Sequence, residues 1–103
     1  MKDVTWHGDS REVVRGFPEQ ARKDLGAELM LLQLGETPLH SRPMPSVGRG
    51  VWEIKVRDES KQYRVFYVVK RREAIHVLHA FEKTSRKTAK ADIELGKQRL
   101  KEV

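Results

Sequence analysis

Three runs of strand-forming residues follow one another between Gly50 and Lys87, and any fold for this chain must seat them side by side. Val51–Arg57 alternates strictly, so that Trp52, Ile54 and Val56 face one way and Glu53, Lys55 and Arg57 the other. Tyr63–Lys70 is almost continuously apolar and β-favouring, broken near its start by Arg64. Ala74–Phe81 is a third apolar run and carries His76 and His79. The intervening Asp58–Gln62 and Arg71–Glu73 are short and charged, which predicts an antiparallel meander. A sheet of this kind needs helices packed on it, and the flanking segments supply them.

Before the meander, Val4–His7 alternates as a short first strand. Asp9-Ser10-Arg11-Glu12 has capping-box spacing and opens a short helix through Phe17, with Val13, Val14 and Phe17 turned inward. Gly16-Phe17-Pro18 breaks it, and Pro18 suits the first turn of a second helix. From Pro18 to Leu34 the helical signal is strongest: Ala21, Leu25, Leu29 and Leu32 form an apolar stripe that Met30, Leu31 and Leu34 widen. Glu19, Gln20, Arg22, Lys23, Asp24 and Glu28 are placed on the wet side, and Gly35 follows as a left-handed cap. Thr37–Gly50 reads as a loop, with Pro38, Pro43, Pro45, Gly48 and Gly50. After the meander, Glu82–Thr88 is basic and aperiodic, and Ala89–Val103 is helical, with Ala89, Ile93, Gly96, Leu100 and Val103 on one stripe. The expected fold is α+β, a small antiparallel sheet packed by helices in the order β-α-α-β-β-β-α.

With 103 residues the chain makes one domain, residues 1–103, with one modest core. It has no cysteine, hence neither disulfide framework nor thiol nucleophile. No apolar run is long enough to span a bilayer and no leader resembling a signal peptide is present, so a cytoplasmic protein without a membrane partner is expected. The net charge of +6 is unevenly spread. Residues 1–41 carry 5 Lys/Arg against 7 Asp/Glu, and residues 42–103 carry 16 against 8. A basic half that contains the sheet is the electrostatic footprint of a nucleic-acid or acidic-protein partner. The plainer alternative is a solvated basic surface.

Chemistry narrows further. Alternation sends His76 and His79 to opposite faces, and with no cysteine or carboxylate cluster nearby neither a metal site nor any other cofactor is expected. His79 shares parity with Phe81 and Lys83 and is a candidate for proton chemistry. Phosphate-loop glycine signatures are absent from the sequence. What remains is a basic constellation: Lys55 and Arg57 on one strand face, Arg64 across the turn, and Lys83, Arg86 and Lys87 after the last strand. In a meander these surround one end of the sheet, where such a cluster binds phosphate oxygens; Arg64 resists the solvated-face alternative because it interrupts an apolar strand. Arg42 and Arg49 lie in the proline-rich loop, within reach of a polyanion or simply solvated.

GVWEIKVRDESKQYRVFYV and VLHAFEKTSRKTAKADIELGKQRL resemble the RelE/ParE toxin superfamily of toxin–antitoxin systems, and most nearly its phage-derived Gp49-like, HigB-related branch. The resemblance covers essentially the whole chain. It implies a RelE-like fold and a type II toxin that cuts messenger RNA on the ribosome without a metal, the 2′-hydroxyl attacking the adjacent phosphate. Carried over residue by residue, it implies a catalytic set of Lys55, Arg57, Arg64 and Lys83, with Arg64 stabilising the transition state and Lys55 or Lys83 exchanging protons. Arg86 and Lys87 would grip RNA. Glu53 is a departure, since RelE carries lysine there; it implies either a base or a partner for an arginine, and His79 is a candidate for the missing group. A helix-turn-helix, HigA-like antitoxin is the implied partner, alongside the ribosome and mRNA. Two other readings stand beside this one: a ParE-like inhibitor of DNA gyrase, and an inactive phage-derived RNA-binding module.

Overall fold

The apolar run broken only by Arg64 lies in the middle of a sheet covered on both faces, the place such a run requires. A computed structural model of the protein describes residues 1–103 except Ser60, residues 71–73 and Ser85. Along the chain it forms β1 (Asp3–Trp6), α1 (Ser10–Arg15), α2 (Glu19–Gln33), β2 (Ser41–Pro43), β3 (Val51–Asp58), β4 (Lys61–Lys70), β5 (Ala74–Lys83) and α3 (Lys90–Leu100). The strands lie in the order β1-β5-β4-β3-β2, and β3, β4 and β5 make the expected antiparallel meander within an α+β fold. No helix among the described residues is long and apolar enough to cross a membrane.

Two features depart from the expected β-α-α-β-β-β-α order and antiparallel sheet. β1 pairs with β5 in parallel, so the sheet is mixed. Ser41–Pro43, inside the segment read as a loop, is a fourth strand of the second half and pairs antiparallel with β3. Its prolines conceal it, yet at a sheet edge Pro43 loses nothing by having no N–H to donate. The first hairpin is also tighter than expected: β3 and β4 close on the Asp58–Lys61 pair, with Glu59 at a positive φ of 51°. The turn expected over residues 71–73 lies outside the described residues.

Helix ends follow local chemistry unevenly. Gly35 caps α2 at φ 83°, with Glu36 N–H donating to Leu31 O at 2.8 Å and Gly35 N–H to Leu32 O at 3.0 Å, the double bond pattern of a left-handed helix stop. The capping box at α1 does not form: Asp9 makes no side-chain cap, and its carboxylate instead accepts from Arg99 at 2.9 Å. Glu28, placed on the wet side of α2, is buried.

Because helices cover both faces, the single expected core is two clusters. On one face Phe17, Leu25 and Leu29 of the α1–α2 side pack on Ile54, Val65 and Val77. On the other, α3 brings Ile93 and Leu100 onto Val47, Val51, Phe66 and Leu78. A one-residue bulge shapes that second face. Phe66 pairs with His79 and Tyr67 with Val77, which leaves Leu78 unpaired. The extra residue overturns the expectation that His76 and His79 face apart, since both now lie on the α3 side of the sheet. His76 Nδ1 pairs with His7 Nε2 at 2.9 Å beyond β1. His79 is buried under α3.

Two helical glycines separate packing from propensity. A Cβ on Gly26 meets nothing within 4 Å, whereas one on Gly96 lies 2.8 Å from Val47 Cγ1 and 3.0 Å from Phe66 Cδ2. Gly26→Ala is expected to stabilise the fold by about 0.5–1 kcal/mol through helix propensity. Gly96→Ala is expected to destabilise it by about 1 kcal/mol, overpacking of about 1–3 kcal/mol exceeding the same propensity gain. Urea unfolding of the two variants checks both signs; a stabilised Gly96→Ala would show that α3 sits loosely on the sheet.

Candidate functional site

α3 covers only part of its face of the sheet. Towards the Asp58–Lys61 hairpin the side chains on that face turn from Val51, Phe66 and Phe81 to Glu53, Lys55 and Arg57 on β3, Gln62 and Arg64 on β4, and Lys83 on β5. The alternation of β3 therefore holds in the fold: Ile54 and Val56 enter the core, and Glu53, Lys55 and Arg57 share the other face.

At the centre of this end lies a buried carboxylate. Glu53, with no side-chain exposure, takes the Arg64 guanidinium (NH1 to Oε1) from the neighbouring strand and Arg42 Nε at 3.0 Å from β2. Arg64 is 5% exposed, and its NH2 donates to Gln62 Oε1 at 2.6 Å. Among the described residues, Glu53 Oε2 and Arg64 Nε are buried without a hydrogen-bond partner. The trio thus carries a net positive charge with spare polar capacity. A cavity of about 260 Å³ opens beside it, lined by Leu39, His40, Ser41, Arg42, Glu53, Lys55 and Arg64. Through Lys55, Leu39 and His40 it adjoins a groove of about 410 Å³ between α2 and the edge of β3, where Arg57 lies.

Lys83, half-buried at the end of β5, belongs to the same electrostatic unit. Burial pushes its amine below the ordinary value of 10.5, the Arg64 charge pushes it further, and Arg42 and Lys55 add to this while Glu53 opposes it. Arg42, Lys55, Arg64 and Lys83 are therefore brought together, from four strands that the sequence separates by up to 41 positions.

The other candidates lie elsewhere. Arg57 is exposed, two residues beyond Lys55 on the same strand face. Arg49 is exposed in the turn before β3, at the strand end away from Arg57. Arg86 and Lys87 are exposed in the segment between β5 and α3. His79 is engaged at both ring nitrogens by α3: Nε2 donates to Asp92 Oδ1 at 2.8 Å, and Nδ1 accepts from Arg99 NH1 at 3.3 Å, which also donates to Leu78 O at 3.1 Å. Its ring stacks on Phe81 with centroids 5.1 Å apart. That geometry makes His79 a fastener of α3, out of reach of the cavity.

Two residues of this region escape sequence reasoning. Glu28 accepts the backbone N–H groups of Leu39 and His40, each at 2.8 Å, and His40 Nδ1 at 2.9 Å. Its burial had a signal, for position 28 lies three after Leu25 and four before Leu32, within the apolar stripe of α2. His40 had none, because its partners are twelve or more residues away.

Residues 12–101, nearly the whole chain, match the family described as phage-derived protein Gp49-like (DUF891). No curated protein matches the chain.

If Lys83 reads the charges around Glu53, its titration moves in opposite directions with their removal. Arg64→Gln is expected to raise its pKa and Glu53→Gln to lower it further. Nitrogen-detected NMR titration of the lysine ammonium groups measures both; a Lys83 unmoved by either change would separate it from the site.

Proposed function

The chain belongs to the phage-derived Gp49-like family, within the RelE/ParE-like toxin superfamily, and from that premise we propose that it is the toxin of a type II toxin–antitoxin system that cleaves mRNA on the translating ribosome. The observation that carries the proposal is the gathering of Arg42, Lys55 and Arg64 around one open cavity, with Lys83 coupled to their charges. A gyrase binder has no need of a phosphate-sized basic pocket.

In this reading the scissile phosphate sits over the cavity, its oxygens met by Lys55 and Arg42. Arg64, its fork shared between Glu53 and Gln62, acts from the floor. Its charge is fixed before the reaction begins, and in a poorly solvated position it favours the extra negative charge of the phosphorane. The 2′-oxygen attacks in line and the 5′-oxygen leaves. Lys83 is the proton donor to that oxygen, and its depressed pKa makes it the more effective acid; activity is then lost as pH rises through its pKa and the ammonium is spent. Arg57, Arg86 and Lys87 would contact flanking mRNA or ribosomal RNA, with Arg49 at the periphery. His79 takes no step here and keeps α3 on the sheet.

The family's association with toxin–antitoxin systems points to an antitoxin partner in general. A HigA-like helix-turn-helix antitoxin carrying acidic side chains to this end of the sheet would neutralise the cations that the RNA needs, in the cytoplasm where toxin, antitoxin and ribosome meet.

Primer extension on a defined mRNA in a reconstituted translation system tests the reading. Wild-type protein is expected to give ribosome-dependent cuts, and Arg64→Gln, which keeps an amide donor towards Glu53, to reduce them by about 10²–10³-fold. Intact mRNA with unimpaired translation would overturn the proposal, and loss of gyrase supercoiling under the same protein would replace it with the ParE-like activity.

A further inference from the structure

Glu28 makes one more bond than holding the loop requires. Its two backbone acceptances, from Leu39 and His40, already fasten the chain to α2; its Oε1 also accepts from the His40 ring. A carboxylate at Nδ1 settles the tautomer, leaving Nε2 with a free lone pair. The backbone of His40 is held from the other side too, since Lys55 N–H donates to His40 O at 3.0 Å. The ring is thus oriented by a side chain only 5% exposed while it remains 66% exposed itself. It lines the same cavity as Arg42, Lys55 and Arg64. A buried carboxylate, an oriented imidazole and an open cationic cavity form the constellation of a general base aimed at a phosphodiester.

We propose that His40 is the general base of RNA cleavage at this site, with Glu28 as its positioning residue; this rests on the ribonuclease reading above. His40 Nε2 takes the 2′-hydroxyl proton as the 2′-oxygen forms its bond to phosphorus. The bond from phosphorus to the 5′-oxygen breaks, and that oxygen takes a proton from the Lys83 ammonium. The products are a 2′,3′-cyclic phosphate and a 5′-hydroxyl, and both side chains then exchange their protons with water. The imidazolium formed in the step is stabilised by Glu28 from α2. It is opposed by Arg42 on β2, Lys55 on β3 and Arg64 on β4, which are themselves offset by Glu53.

The test is single-turnover cleavage of a defined mRNA on translating ribosomes by the full chain. His40→Ala keeps both backbone bonds to Glu28, so its melting temperature is expected to match the wild type. Its cleavage step is expected to slow by about 10²–10⁴-fold. The acidic limb of the pH–rate profile should disappear, and added imidazole should restore part of the rate, which a merely structural role would not allow. Glu28→Gln should give a smaller loss, with the acidic limb retained. If the wild type cleaves and His40→Ala keeps its rate, or loses it with neither a changed profile nor imidazole rescue, the assignment of His40 falls while the ribonuclease reading stands. A wild type that leaves the mRNA intact overturns both.

Discussion

The burial of Glu53 is the constraint on which this end of the molecule depends. A carboxylate with no exposed side-chain surface costs several kcal/mol in desolvation unless cations come with it. Arg64 from β4 and Arg42 from β2 supply them, so one carboxylate ties three adjacent strands. The tie is not built for stability alone. Glu53 Oε2 and Arg64 Nε remain buried and unpartnered among the described residues, and apolar side chains would fill the same space without that cost. What the charges provide is a guanidinium fixed in place under a cavity with positive charge left over.

α3 covers the neighbouring, apolar part of the same sheet face. That helix is short, and through Ile93, Gly96 and Leu100 it covers only that part. Its seat depends on two local devices. Gly96 lets its backbone approach Val47 and Phe66, and the Leu78 bulge turns His79 towards Asp92 and Arg99. Arg99 in turn reaches Asp9, so the same set of bonds fastens α3 to β5 and to the loop before α1.

The proposed chemistry draws its proton groups from different elements of the fold. Lys83 arrives from β5, depressed by burial and by the cations of three other strands. His40 arrives from the connection between α2 and β2, held by Glu28. In that proposal the basic residues that alternation places on one strand face form part of the binding surface. The orientation of the proposed proton-accepting imidazole comes from a helix whose buried carboxylate looks, on composition, like ordinary surface charge.

Much of this was legible in the sequence. Period-two alternation in Val51–Arg57 assigned Glu53, Lys55 and Arg57 to one face, Arg64 stood out as a charge in an apolar strand, and Gly35 marked the end of α2, because each of these is a local consequence of backbone geometry. The motifs carried the family as well, since they follow the chain order. The rest required three dimensions. Parallel pairing of β1 with β5 depends on contacts some seventy residues apart, and β2 forms only because β3 offers it an edge. The Leu78 bulge reverses the facing of His76 relative to His79, and no periodicity can report one added residue. Glu28 and His40 meet only when the loop folds back on α2. The sequence by itself determined which side chains share a face of an unbroken strand such as β3, for that is fixed by a repeat of two residues. Only the tertiary structure decided which faces are covered and which charges are paired, for burial and ion pairing are set by neighbours that the chain order does not name.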